Sequence, residues 1–311
     1  MNNLSNDIYN YYTERFFELP FDKQLHFASR LYLWSHDAFA RERLDELRAT
    51  VTADGQPDVA LKDVYMQGKT SIFHGSKNAA ELRAPYFEKY PELRTLVMVL
   101  FRLTFLQTVY GLDGRTVLFK LYDRSQVEAL LQQLSGDTQA VAVLSTHAIN
   151  VLYLYNRVVL QDDLSMDPTQ FLHVGASAYD LSDPIQLQLY IYLYTHCVIG
   201  ESTFYARKLP DTYLHVYRQM MQELELVIGE NFTAVNLDNK FEFLVCCRLV
   251  GYKSNLARRI EDEAERSISE QGLFLIDRHN TNPQAANSTL ELSEHRNVLY
   301  LLSHLDSPLT R

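Results

Sequence analysis

The chain is poor in the residues that break helices and in those that staple small folds: its 311 residues include 11 glycines, 9 prolines and 3 cysteines. So few turn-formers argue against a many-turned β-sandwich or barrel, and the plentiful leucine, alanine, glutamate and tyrosine favour helices. Three cysteines, Cys197, Cys246 and Cys247, cannot build a disulfide framework, and their scarcity fits a reducing compartment. Met1-Asn2-Asn3-Leu4 opens no basic region followed by an apolar core, so a signal peptide is not expected. Long apolar runs are also missing. The longest, Leu96 to Leu112, is broken by Arg102, Thr104, Gln107 and Thr108, and is too polar for a membrane span. Positive charge is in deficit, with 29 Lys and Arg against 39 Asp and Glu and a net charge of −10, which argues against a nucleic-acid partner. No G-x-G-x-x-G, P-loop, H-E-x-x-H or G-x-S-x-G segment occurs, so these motifs support neither a phosphate cradle, a zinc protease nor a nucleophile elbow. These absences predict a cytoplasmic protein with neither a nucleic acid nor a membrane as partner, and they leave its oligomeric state open.

What is present is a recurrence. Apolar runs arrive at Trp34-Ser35-His36, Ser145-Thr146-His147, Tyr194-Thr195-His196, Val245-Cys246-Cys247 and Leu302-Ser303-His304, with Phe105-Leu106-Gln107 as a sixth stop. The stops lie about 40 to 70 residues apart, the spacing of a stacked or ring-closed array of helical units. Two kinds of helix alternate. Leu96 to Tyr110, Ala140 to Tyr155, Pro184 to Ile199, Phe241 to Val250 and Asn297 to Leu305 are apolar nearly all round, which predicts burial on both sides. Ala38 to Ala49, Ser125 to Leu134, Thr212 to Ile228 and Asn255 to Glu270 carry a charged face. Asp183-Pro184, Pro210-Asp211, Asp238 and Ser293 are candidate helix starts, and Gly111, Gly200, Gly229 and Gly251 candidate stops. Residues 50–75 and 281–289 read as irregular insertions or loops. Nothing resembles a linker, so residues 1–311 read as a single helical domain.

The fold class predicted is all-α, with about six helical hairpins. Alternating buried and amphipathic helices over residues 20 to 305 resemble the α/α toroid architecture of six-hairpin glycosidases, lanthionine cyclases, terpenoid cyclases and protein prenyltransferases. An open α-solenoid is the alternative. The resemblance implies a central funnel with function at its mouth. It brings no activity with it. The chain has no D-x-D-D box, its Asp162-Asp163-Leu164-Ser165-Met166-Asp167 misses the D-D-x-x-D spacing, and it lacks the Cys-His-Gly and Trp-Cys-x-Gly segments of lanthionine cyclases.

Four constellations could carry chemistry, each with a plainer reading beside it. His147, His196, Cys246 and Cys247, at matching repeat positions, are candidate metal ligands; no motif calls for a cofactor, and Zn²⁺ is the ion such ligands would suit. They read equally as core residues. His196 and Glu201 form a candidate proton relay within Tyr194–Tyr205, or else a tether at a helix end. Asp238, Glu242, Asp277, Glu291, Glu294, His295, Arg296 and Asn297 gather at helix starts. There Glu242 and His295, with Asp238, Glu201 and His196, are the candidate catalytic residues, and Arg296, Asn297, Asp277 and Tyr194 the candidate substrate-binding ones. Caps and dipole partners explain some of these acids, but not Glu242, which sits inside Phe241-Glu242-Phe243-Leu244 and needs a partner such as Lys240, Arg248 or Arg296. Tyrosines 153, 155, 190, 192 and 194 could wall a pocket or simply pack. The expected function is a polar cavity that binds or transforms a small molecule or peptide by acid–base chemistry. The alternative is a helical-repeat scaffold for protein partners.

Overall fold

The computed structural model describes residues 3–70, 77–161, 166–277 and 289–310. Among them the fold is all-helical, the one extended contact being an isolated antiparallel bridge from Ile268 to Leu275. The helices are α1 (Asn3–Glu14), α2 (Phe21–Ser35), α3 (Ala38–Thr52), α4 (Pro57–Thr70), α5 (Lys77–Lys89), α6 (Leu93–Thr108), α7 (Arg115–Leu121) and α8 (Arg124–Gly136). They continue as α9 (Thr138–Leu144), α10 (Thr146–Leu154), α11 (Thr169–Ser177), α12 (Pro184–Glu201), α13 (Leu214–Glu230), α14 (Leu237–Val250), α15 (Ala257–Arg266) and α16 (Leu290–His304). A short 3₁₀ turn, Phe16–Glu18, precedes α2, and a π-helical turn, Tyr155–Leu160, extends α10. No described helix is long and apolar enough to cross a membrane.

The chain divides into two compact units, one made of Met1–Glu46 with Phe204–Arg311 and the other of Leu47–Thr203. In the first unit α16 packs between α14 and α2, with α1 against α16 and α13 and α15 against α14. Contacts at rising heights show that the three central helices run parallel. His26 meets Glu294 and Trp34 meets Leu305; Asp238 meets Arg296 and Arg248 meets Leu302. In the second unit α4, α6, α10 and α12 form a row. There Ser145 donates to the Leu189 carbonyl at 3.0 Å, Asn150 meets His196 and Arg157 meets Glu201, so α10 and α12 are parallel too.

The central helices have little polar face, and nearly every residue of α14 is buried. The amphipathic helices α13 and α15 instead bury one stripe, such as Ile260 and Ala264 of α15. Arginines join the elements by donating to helix-end carbonyls, which lack partners of their own. Arg218 donates to Val250 at 2.8 Å, Arg248 to Leu302 at 2.6 Å and Arg102 to Val51 at 3.1 Å. Each also sets a positive charge at the negative end of a helix dipole.

Several expected boundaries shift. Residues 57–70, read as part of an insertion, are helix α4; residues 71–75, 281–288 and 162–165 lie outside the described residues. The run Ala140 to Tyr155 breaks at Ser145, whose backbone takes φ 38° and ψ −100°. The segment Asn255 to Glu270 stops being helical at Arg266, because Ser267 and Ser269 exchange backbone hydrogen bonds with Ile276 and Phe274. Asp183 does cap α12, accepting from Ile185 N at 2.8 Å. Asn236 rather than Asp238 caps α14, and Thr289 rather than Ser293 caps α16. Gly251 ends α14 in the left-handed region. Gly200 lies inside α12, where a Cβ would come within 2.8 Å of Tyr153 Cβ, so its role is close helix approach rather than termination.

Candidate functional site

In the first unit one charged cluster is assembled from three neighbouring helices. Lys23, His26 and Arg30 follow an i, i+3, i+7 spacing that puts them on one face of α2, and Asp238 and Glu242 share a face of α14 at i, i+4. The middle helix α16 supplies three successive residues. Because it lies between the other two, Glu294 turns to α2, Arg296 turns to α14, and His295 falls between them. This explains why an unbroken polar run can exist in a helix that is otherwise core.

Glu294 is fully buried and lies 2.8 Å from His26 Nδ1 and 3.6 Å from Lys23 Nζ. Arg30 Nε donates to His26 Nε2 at 3.4 Å, which assigns the proton to Nδ1 and makes His26 a donor to Glu294. Burial alone would raise the Glu294 pKa, but the proximity and hydrogen bond of His26, with Lys23 and His295 behind them, hold it below the usual carboxylate range. His295 stacks obliquely on His26 with ring centroids 5.2 Å apart. Burial, reinforced by nearby His26 and Arg30, lowers its pKa to about 4 against the opposite pull of Asp238 and Glu294. It is therefore neutral at pH 7 and able to accept a proton.

Arg296 reaches Asp238 at 3.1 Å and Asp277 at 3.5 Å, both through Nη2. Its Nε and Nη1 are buried and have no hydrogen-bond partner, and the same holds for Arg30 Nη1 and Asp238 Oδ1. An unpaired buried donor of this kind costs about 1–3 kcal/mol. Asp277 is held in place by Asn297, which accepts from Leu275 N at 2.8 Å and donates to the Leu275 and Ser293 carbonyls at 3.0 and 2.8 Å. Asn297, a substrate-binding candidate from the sequence, thus has its amide engaged by backbone.

Lys240, Arg248 and Arg296, the partners expected for Glu242, each have another engagement. Lys240 pairs with Glu263 at 2.5 Å, Arg248 donates to Leu302, and Arg296 takes the aspartates. The surroundings of Glu242 include Arg30 and the Tyr205 phenol. Tyr205 arrives at the end of a left-handed turn, Thr203–Phe204–Tyr205, with φ of 53°, 54° and 70° and no glycine among them. Each such residue is strained by roughly 1–2 kcal/mol. Phe204 and Tyr205 lie under the Arg30 guanidinium, 4.8 and 5.1 Å from its Cζ.

Sequence reading therefore found the α14 and α16 contributions and missed α2. The signal was there: Lys23, His26 and Arg30 repeat on one face of a helix, Phe21–Ser35, that is otherwise largely core from Leu25 on.

The second unit holds the other candidates. Glu201 is fully buried and pairs with Arg157 of the π-helical turn, while His196 Nδ1 lies 2.8 Å from Asn150 Oδ1. Tyr194 packs obliquely on Tyr190 and over Gly175, where a Cβ would sit 2.2 Å from its hydroxyl. His147 opens α10 against Phe87, and burial with the nearby Arg83 lowers its pKa to about 4. Because Asn150 faces His196, the two histidines are not in register. Among the described residues no group of three His, Cys, Asp or Glu could hold a metal ion. Burial pushes the Cys197 and Cys247 thiols well up. This unit also carries a cleft of ≈ 430 Å³ lined by Leu131, Leu152, Leu160 and Met166 with Glu128 and Tyr155. The Glu128 carboxylate there is engaged by Arg124 and by the Tyr155 hydroxyl.

No protein-family model, no curated protein and no solved structure matches the chain.

Proposed function

We propose that the charged cluster of α2, α14 and α16 is a site that binds, and by acid–base chemistry transforms, a small polar molecule. One observation carries this reading: two buried guanidiniums and a carboxylate keep unused hydrogen-bonding atoms within a single cluster. A purely structural network would be expected to satisfy those atoms, since leaving them unpaired is costly. Neutral His295 is the candidate base, and Glu242 beside Arg30 and Tyr205 the candidate carboxylate partner. Arg296, Asp277 and Asp238 would orient the ligand, with Asn297 acting through the loop it fixes. His196, Glu201 and Tyr194 belong to the second unit and are not part of this proposal.

The α/α-toroid architecture is proposed on the same footing. In each unit a row of buried helices, parallel where paired contacts fix their direction, supports it.

The test is a thermal-shift screen of sugars, organic acids, amino acids and nucleotides on the wild-type chain and on Arg296→Lys. At least one class is expected to stabilise the wild type and to lose that effect in the variant. A screen in which nothing shifts the wild type, or in which every shift survives the substitution, would remove the site reading. A protein-interaction scaffold would then be the better account.

A further inference from the structure

The cleft of the second unit is amphipathic. At ≈ 430 Å³ it has the size of a small-molecule site. Leu131 of α8, Leu152 of α10 and Tyr155 are nearly buried and form its inner, apolar lining, while Glu128 and Leu160 are far more exposed and stand at its mouth. One side is the π-helical turn, which contributes Tyr155, Asn156 and Leu160, and Arg157 of the same turn anchors it by pairing with Glu201 in the core. Such turns are rare and are found frequently at functional sites. The charge of the cleft has one sign. Among the described residues no Lys, Arg or His lines it; Glu128 is its charged group, and Gln132, Ser135, Asn156 and Gln170 are neutral. Both bonds to the Glu128 carboxylate fall on Oε1, from Arg124 Nε at 2.9 Å and from the Tyr155 hydroxyl at 3.2 Å. Among the described residues no donor meets Oε2. The bond to Arg124 holds Glu128 below the usual carboxylate range, so it is ionised at pH 7. The Arg124–Glu128 pair is itself solvent-exposed, and a pair of that kind is weak enough to admit a competing cation.

We infer that this cleft takes a primary amine carried on an apolar, aromatic-sized body, the body against Leu131, Leu152 and Tyr155 and the ammonium at Oε2 of Glu128. An anion would meet Glu128 with no cation in the lining to offset it, and a purely apolar molecule would leave Oε2 to water. An amine answers both the carboxylate and the apolar wall, and its body covers Leu160, which is 44 % exposed. The chain's net charge of −10 also favours the approach of a cation. The site lies wholly in the second unit and is independent of the cluster on α2, α14 and α16.

The probes are tryptamine, tryptophol and indole-3-propionate, which share one aromatic body and differ in the charge of the head, titrated by calorimetry into the full chain at pH 7. Tryptamine is expected to bind tightest, tryptophol about tenfold weaker for want of the charge, and indole-3-propionate not measurably. Glu128→Gln keeps the shape of an exposed side chain and removes its charge, so it should weaken tryptamine about tenfold and leave tryptophol unchanged. Gln132→Lys, also at an exposed position, sets a cation in the lining and carries the same expectation, should the first variant not fold. Tryptophol or indole-3-propionate binding as tightly as tryptamine overturns the proposal. Tryptamine affinity unchanged in both variants, or no binding by any probe, overturns it as well. None of these outcomes bears on the Arg296→Lys screen, whose substitution lies in the other unit.

Discussion

Glu242 shows how far one buried acid can be reasoned about from its neighbours. It is 4 % exposed and surrounded by Phe241, Phe243 and Leu244, so as a carboxylate it depends on the Arg30 charge. Glu242→Gln keeps the shape and removes the charge. If the site reading holds, the variant loses binding or turnover of whichever compound the screen identifies, while its denaturant midpoint moves by no more than about 1 kcal/mol equivalent. A loss of several kcal/mol with no functional change would mark Glu242 as half of a structural ion pair. Thr203 allows a cleaner test of backbone strain. Its φ is 53° and its hydroxyl is buried without a partner, so glycine should suit the position better than alanine. Thr203→Gly is expected to exceed Thr203→Ala in stability by about 1 kcal/mol in urea unfolding; the reverse order would argue against a left-handed turn there.

At the scale of the element, the helices are located by their patterns and fastened by side chains that no pattern reveals. Arg248 sits one turn from the end of α14, donates to the Leu302 carbonyl and lies over the Trp34 ring at 5.3 Å. From the sequence it was a candidate partner for Glu242, which lies six residues before it in the same helix. Arg248→Met should keep the packing of the stem while stripping the helix-end bond, costing about 1–3 kcal/mol in a chemical-denaturation midpoint. No loss would mean that water replaces the guanidinium at the α16 terminus. The same scale explains the misread caps. Asp238 and Ser293 looked like starts, but Asn236 and Thr289, two and four residues earlier, accept the first-turn N–H groups. That displacement lets Asp238 turn to Arg296 and Ser293 lie in the core beside the Tyr12 hydroxyl, 3.0 Å away.

For the whole molecule, the expected pH response follows from groups whose shifts share a sign. His295 and His147 both have pKa values lowered from 6.5 to about 4, chiefly by burial. Between those values the unfolded chain binds the proton and the folded chain does not, so acidification through this window favours unfolding. Glu294, held below its ordinary value, acts the same way, its contribution present above the unfolded carboxylate pKa and lost as pH falls through the folded one. Stability should be level above about pH 6.5 and fall steadily to pH 4, by roughly 3 kcal/mol for each of the two imidazoles. Denaturation midpoints in urea across that range check it. Replacing either imidazole with glutamine should flatten the slope, and a slope unchanged in both variants would mean that other groups carry it.

The sequence by itself determined the helical fold class, the buried character of α6, α12, α14 and α16, and the clustering of acids with His295 and Arg296. Each follows from local facts, namely how apolar residues repeat along the chain and which polar ones interrupt them. It also made Glu242 conspicuous, because an acid inside a core run needs a partner wherever the run is placed. Only the tertiary structure decided who those partners are. Arg30 and His26 stand more than two hundred residues from Glu242 and Glu294, while Lys240, Arg248 and Arg296 meet Glu263, the Leu302 carbonyl and Asp238. Ion pairing depends on distance in space, which periodicity does not encode. The unused N–H groups of Arg296 and Arg30, on which the functional reading rests, likewise exist only once every competing acceptor has a position.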